Sequence, residues 1–191
     1  MASVKGTKTE KNLLAAFAGE SQARNRYTFA ASVARKEGYM QIEAIFLETA
    51  DNEKEHAKRF FKYLEGGMLE IQASYPAGII GTTLENLKEA ASGEHEEWTK
   101  LYKEAGETAK KEGFEDIAAC FLNIAKVEER HEARYRKLIE NIEKSKVFKK
   151  DAPVMWKCRN CGYVHTGDSA LEKCPSCLHP MAYFELFCEN Y

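Results

Sequence analysis

Apolar residues recur at three- and four-residue intervals through residues 9–145, the spacing of helices that each bury one face. Four helices are predicted, over 9–36, 40–65, 82–111 and 114–145. Gly38 and Gly113 punctuate the two short turns, as helix-ending glycines do. Gly66, Gly67, Pro76 and Gly78 mark a longer connection between the second and third helices. Short, long and short connections describe a mainly α fold, a four-helix bundle with one long crossover. Cys120 lies among Ile117, Phe121 and Ile124 at helical spacing and reads as a small core residue.

The bundle is an internal repeat. At an offset of 75, residues 34–56 lie over 109–131 with eleven of 23 positions identical. The matches include Gly38/Gly113, Ile42/Ile117, Phe46/Phe121, Ala50/Ala125, Glu53/Glu128 and His56/His131. At an offset of 74, Gly19-Glu20 lies over Gly93-Glu94, and at 75 Tyr27 lies over Tyr102. Two helix pairs related by a pseudo-twofold axis follow, and a symmetric site for two metals is their natural product.

Glu53-x-x-His56 and Glu128-x-x-His131 each place a carboxylate and an imidazole on one helix face. Singly, such a motif is a common feature of solvated helices. Two at matching repeat positions, with Glu20 and Glu94 on the other two helices, make the di-iron or di-manganese carboxylate pattern. Glu20 continues the stripe of Leu13, Phe17, Arg24, Tyr27 and Ala31, and Glu128 that of Phe121, Ile124, Ala125 and Tyr135. Charged and unpaired there, each would cost several kcal/mol, which coordination offsets. Glu97 follows Glu94 by three residues, whereas its counterpart in the first half is Ala23. The predicted set is therefore Glu20, Glu53, His56, Glu94, Glu97, Glu128 and His131. Ferric and ferrous pairs differ in charge, which suggests Glu97 and neutral His56 as alternative ligands of one iron, exchanged with redox state. Tyr27 and Tyr102 read equally as donors to metal-bound carboxylates or as core aromatics.

Composition changes near residue 148. Upstream the chain is rich in Ala, Glu, Lys and Leu with one proline; downstream come Pro153, Pro175, Pro180 and short β-type runs. Lys149–Pro153 reads as a linker between a helical domain over 1–147 and a small module over 154–191. That module carries Cys158-x-x-Cys161 and Cys174-x-x-Cys177, two thiolate turns able to face each other around one metal. Iron and zinc both accept a four-sulfur cage. A module this small buries too little core to fold alone, so the metal is part of its fold. Cys188 carries no reading of its own.

Twenty-eight basic and 30 acidic side chains give a net charge of −2, which offers nucleic acid and anionic membranes no basic surface. No apolar run approaches the roughly 18 residues of a membrane span. The N-terminus lacks an apolar signal segment, so a cytoplasmic, reducing compartment is the expectation.

The residues resemble those of rubrerythrins over essentially the whole chain. The likeness rests on Ala18-Gly19-Glu20-Ser21-Gln22-Ala23-Arg24-Asn25-Arg26-Tyr27, Glu53-x-x-His56, Gly93-Glu94-x-x-Glu97, Glu128-x-x-His131, Cys158-x-x-Cys161-Gly162-Tyr163 and Cys174-Pro175-x-Cys177. It implies a ferritin-like di-iron bundle joined to a rubredoxin-like module, with the seven bundle residues as di-iron ligands and the four cysteines on a lone iron. It implies reduction of hydrogen peroxide to water, with electrons passed through the lone iron from rubredoxin or an NAD(P)H-linked reductase. It implies a homodimer, in which one subunit's rubredoxin-like iron lies near the other's di-iron site, and a role in oxidative-stress defence. Where free-standing rubredoxins place glycine soon after the second cysteine pair, this chain has Leu178-His179-Pro180. Two other readings compete: a di-iron oxidase or ferroxidase using dioxygen, and a non-enzymatic scaffold with a zinc ribbon.

Overall fold

A computed structural model describes residues 2–190. Helix α1 runs over Lys8–Lys36 and α2 over Met40–Phe61. The third helix of the bundle is composite: α3 over Thr83–Glu96, a π turn over Glu97–Leu101, and α4 over Tyr102–Lys111. Helix α5 spans Glu115–Glu143. Thr7 caps α1, its side chain accepting from the Glu10 N–H, and Thr82 with Glu85 forms a reciprocal capping box on α3.

Both short turns are built alike, as the repeat requires. Gly38 (φ 82°) and Gly113 (φ 85°) take the left-handed conformation that ends a helix cheaply only for glycine. The next N–H reaches back five residues in each case, Tyr39 to the Ala34 carbonyl and Phe114 to that of Ala109, both at 2.8 Å. Helix α1 packs along α2, and α5 along α3 and α4, so two hairpins face each other.

The second helix ends at Phe61, four residues before the expected Glu65. Glu65 is engaged elsewhere. Its carboxylate accepts the Val4 N–H at 2.9 Å and the Ser3 hydroxyl at 2.7 Å, tying down the N-terminal segment. The crossover from 62 to 82 carries no regular secondary structure and is pinned to α1 where Tyr75 Oη donates to the Ala15 carbonyl at 2.6 Å.

The bundle has two hydrophobic clusters. One collects Leu13, Phe60, Tyr102, Ile117 and Phe121 and the other Tyr27, Ile42, Phe46, Leu87 and Tyr135. Each contains an aromatic trio in equivalent repeat positions, Phe60–Tyr102–Phe121 and Tyr135–Tyr27–Phe46, with ring centroids 4.8–6.0 Å apart. Phe60 and Tyr135 are repeat partners, and the extra hydroxyl of Tyr135 is buried without a hydrogen-bond partner. Tyr135→Phe is therefore expected to leave the melting temperature unchanged or raise it by the equivalent of about 1 kcal/mol, because it removes an unpaired polar atom. A thermal melt followed by circular dichroism tests this, and a clear loss of stability would refute it.

The C-terminal module is a three-stranded antiparallel sheet of order β2-β1-β3, with β1 over Lys149–Cys158, β2 over Val164–Ser169 and β3 over Phe184–Leu186. The stretch expected as a linker opens β1: Lys149 pairs with Ser169, and an irregularity follows before Val154 pairs with Gly167. Trp156, Phe184 and Ala170 form the module's small core around Cys158 and Cys174. The module rests on the α1–α2 turn, where the Tyr39 and Phe148 rings stack and Ala182 approaches Gly38.

Candidate metal centres

Midway along the bundle, between the two hydrophobic clusters, the core turns acidic. Glu20, Glu53, Glu94 and Glu128 are each at most 1% exposed. Their carboxylates converge with two imidazoles in two overlapping groups, Glu20–Glu53–His56–Glu128 and Glu53–Glu94–Glu128–His131. Glu53 and Glu128 belong to both, so the paired Glu-x-x-His motifs supply the two shared carboxylates. His56 Nδ1 lies 2.9 Å from both Glu53 Oε2 and Glu128 Oε1; His131 Nδ1 lies 2.8 Å from Glu128 Oε2 and 3.2 Å from Glu53 Oε1. Metal–ligand bonds of about 2.1 Å at right angles set neighbouring donor atoms about 3 Å apart.

These atoms fit a metal better than they fit each other. Glu20 Oε2, Glu53 Oε1, Glu94 Oε2, both oxygens of Glu128 and Nδ1 of His131 are buried with no hydrogen-bond partner. Such a set of orphaned acceptors is unfavourable unless cations fill the space between them. Burial, reinforced by the charges of Glu128 and Glu53, holds the Glu20 carboxyl well above its usual range. Burial likewise lifts Glu94 to about 8. Burial would lower both histidines, but the Glu128 and Glu53 carboxylates close to their ring nitrogens outweigh it, and His56 rises to about 9. Every one of these shifts is a proton that a cation would displace.

Glu97 belongs to neither group of converging atoms. It opens the π turn, in which the Tyr102 N–H reaches back five residues to the Glu97 carbonyl. Its side chain lines a cavity of about 310 Å³ between α1, the third helix and the crossover, with Tyr27, Tyr102, Gln22, Arg26 and Tyr75 among its other walls. Burial and the charge of Glu94 push its carboxyl well above the usual range. The continuous third helix expected from periodicity is thus broken at the position that carries the asymmetric glutamate. One signal did mark the break. The repeat offset is 74 at Glu20/Glu94 and 75 at Tyr27/Tyr102, so one extra residue enters between Glu94 and Tyr102, where the π turn lies.

The tyrosines reach the carboxylates reciprocally. Tyr27 Oη donates to Glu94 Oε1 at 2.5 Å, and Tyr102 Oη donates to Glu20 Oε1 at 2.6 Å. Burial and the facing carboxylates raise both phenols well above their ordinary value, so the protons stay on the phenol oxygens.

In the module, the four cysteine sulfurs also converge on one point. Cys158 and Cys177 Sγ are 3.7 Å apart, and Cys161 and Cys174 Sγ 3.6 Å. A disulfide would need about 2.05 Å, whereas a tetrahedral site with metal–sulfur bonds of about 2.3 Å sets its sulfurs about 3.8 Å apart. The two turns match: Gly162 N–H donates to the Cys158 carbonyl at 2.8 Å and Leu178 N–H to that of Cys174 at 2.9 Å. Leu178 takes φ 62° where glycine serves in the first turn, so the second turn bears about 1–2 kcal/mol of backbone strain. The His179 N–H lowers Cys177 to about 6, while burial raises Cys158 to about 11.

The sequence profile of rubrerythrins matches residues 11–151, and that of the rubrerythrin rubredoxin-like domain matches residues 156–185. The chain belongs to the rubrerythrin family. It is 63% identical over 189 residues to the rubrerythrin of Porphyromonas gingivalis, covering 99% of this chain and 94% of that one. Among solved structures, partially reduced nigerythrin superposes with a TM-score of 0.64 at 30% identity, over 97% of this chain and 92% of that one. A bacterioferritin from Mycobacterium tuberculosis superposes with a TM-score of 0.62 at 18% identity, over 71% and 86% of the two chains, and shares the bundle fold. The rubrerythrin chain thus carries candidate halves of a di-iron carboxylate centre and a four-cysteine cluster in a rubredoxin-like domain. Among the described residues, no helix is long and apolar enough to cross a membrane.

Proposed function

We propose that the protein is a cytoplasmic peroxidase that reduces hydrogen peroxide to two waters, taking up two protons and two electrons, in defence against oxidative stress. The observation that carries this reading is the pairing of a carboxylate–imidazole centre for two metals with a four-thiolate cage in one chain, which with iron bound would pass electrons one at a time. An iron store has no use for such a relay. In the proposed assignment Glu20, Glu53, His56, Glu94, Glu97, Glu128 and His131 hold the di-iron pair, with Glu97 and His56 exchanging on one iron. Cys158, Cys161, Cys174 and Cys177 hold the single iron. Bound by these residues, a reduced di-iron pair would supply the two electrons that O–O cleavage needs and positive charge for the separating oxygens. Around them, Tyr27 and Tyr102 fix the Glu94 and Glu20 carboxylates by hydrogen bonds, and the two hydrophobic clusters exclude bulk water above and below. The cavity beside Glu97 gives a small neutral oxidant a way in.

A homodimer belongs to the proposal. The module rests on the α1–α2 turn, whereas Glu53 lies 13 residues beyond Met40, about 20 Å along α2. A relay within one chain is long, and a second copy shortens it. The crossover offers apolar side chains for such a contact, Met68 fully exposed and Ile79 90% exposed. Rubredoxin or another reductase is the proposed electron donor, and the domains are proposed as 1–147 and 154–191.

Stopped-flow mixing of the reduced protein with peroxide or with dioxygen tests the reading. Fast recolouring by peroxide and slow recolouring by dioxygen are expected. Cys174→Ser is expected to retain the first reoxidation and to lose turnover with an external donor. Equal or faster reoxidation by dioxygen would instead make the protein an oxidase.

A further inference from the structure

A second acidic group lies outside the di-iron constellation. Glu132 on α5 is 6% exposed and directly follows His131. Its Oε2 accepts the indole N–H of Trp98, the residue after Glu97. Its Oε1 accepts Arg136 Nε at 2.5 Å. His95 Nδ1, on the residue after Glu94, lies 3.0 Å and 3.1 Å from the two oxygens. The carboxylate on the residue that follows His131 therefore gathers the residues that follow Glu94 and Glu97. The Lys103 ammonium sits 5.1 Å from the centroid of the Trp98 ring, over its face.

The first half of the repeat has nothing equivalent. At the offset of 75 Glu132 lies over Ala57, and Trp98, in the stretch where the offset passes from 74 to 75, lies over Arg24 or Ala23. The clasp, the π turn and Glu97 are thus three asymmetric features, and they coincide in space. A π turn is a rare, locally strained insertion that persists where surrounding structure holds it. Trp98 belongs to that turn, and its indole is tied to the neighbouring helix α5. A charged acceptor with three donors is a strong tie in a partly buried setting.

We infer that Glu132 is the positioning residue for Glu97: by holding Trp98 against α5 it fixes the register of the π turn and hence the place from which the Glu97 carboxylate reaches the metal centre. The inference rests on the assignment of Glu97 as a ligand. It predicts that loosening the clasp frees one turn of one helix and disturbs one iron of the pair, leaving the rest of the bundle as it was.

The test compares the iron-loaded full chain with Glu132→Leu, Glu132→Gln, Trp98→Phe and the surface control Glu140→Gln. Amide hydrogen exchange read by mass spectrometry is expected to rise about tenfold for residues 97–102 in Glu132→Leu and Trp98→Phe, with α1 and α2 unaltered. Glu132→Gln, whose carbonyl still accepts the indole N–H, retains most of the protection, and Glu140→Gln all of it. Mössbauer spectra of the oxidised Glu132→Leu protein are expected to show one iron site altered at unchanged iron content. Unaltered exchange at 97–102, or a loss spread evenly over all helices, overturns the inference. So do unaltered spectra in Glu132→Leu. If the protein fails to reduce peroxide while the local exchange and the spectra change as expected, the clasp stands and the peroxidase reading falls.

Discussion

Replacing Glu128 by alanine is expected to strip the paired metals from the bundle and leave the cysteine iron in place. Glu128 contributes to both groups of converging atoms, and both its oxygens are buried without a partner. No neighbouring side chain of the described residues takes over a shared position, because Glu53 already occupies the other one. Iron content should fall from about three to about one per chain, and the peroxide rate by more than about 100-fold, since even an outer partner of a ligand costs 10–100-fold. The fold should survive. Deleting a buried carboxylate relieves a burial penalty, and the hydrophobic clusters above and below remain. Glu20→Ala, which touches one group, should be milder. Metal analysis with the visible spectrum and circular dichroism decides the matter, and retention of all the iron by Glu128→Ala would refute the shared role.

Removing all bundle metal from the intact protein is expected to lower the melting temperature by about 10 °C and to make stability fall as pH rises. The sign follows from the raised groups. Burial holds protons on Glu20 and Glu97, on Glu94 up to about 8, and the facing carboxylates hold a proton on His56 up to about 9. The unfolded chain releases the carboxyl protons near 4.5 and the histidine proton near 6.5. The folded state therefore binds more protons between these limits, and its stability, full below the unfolded values, declines as pH climbs through 8 and 9. Each excess proton contributes a slope of about 1.4 kcal/mol per pH unit. Glu53 opposes the trend. Burial raises it, but hydrogen bonds to His131 and His56 pull it below its usual value, so it offsets part of the slope. The metal-loaded protein should show the reverse, since coordination is easier once the protons are gone. Melts at about pH 5 and about pH 9, with and without metal, check both signs. A metal-free protein more stable at the higher pH would contradict the protonation states described above.

Much of this arrangement is legible in the amino-acid sequence. The four helices, their turns at Gly38 and Gly113 and the composition change near residue 148 follow from periodicity and punctuation that local physics enforces. Glu20, Glu53, Glu94, Glu128, His56 and His131 stood out because two copies of one pattern rarely arise by chance, and the structure brings those six together. Glu97 stood out by its asymmetry, yet its distance from the converging atoms was hidden, because helical period assumes an unbroken helix and the π turn breaks it. The end of α2 is not legible from periodicity because Glu65 is drawn to the N-terminal segment, a partner 61 residues away. Glu132 was invisible for the same reason: on a charged helix it is one glutamate among many, and only its three partners distinguish it.

The crossed donations of Tyr27 to Glu94 and of Tyr102 to Glu20 bear on how such a chain arises. Each hairpin brings its own glutamate and its own Glu-x-x-His, but the phenol that steadies that glutamate sits on the other hairpin. A gene encoding a single hairpin would specify an unfinished site, and two copies meeting about a twofold axis would complete both halves together. Within one polypeptide both halves of the exchange come together on folding, and the one extra residue between Glu94 and Tyr102 is what breaks its symmetry.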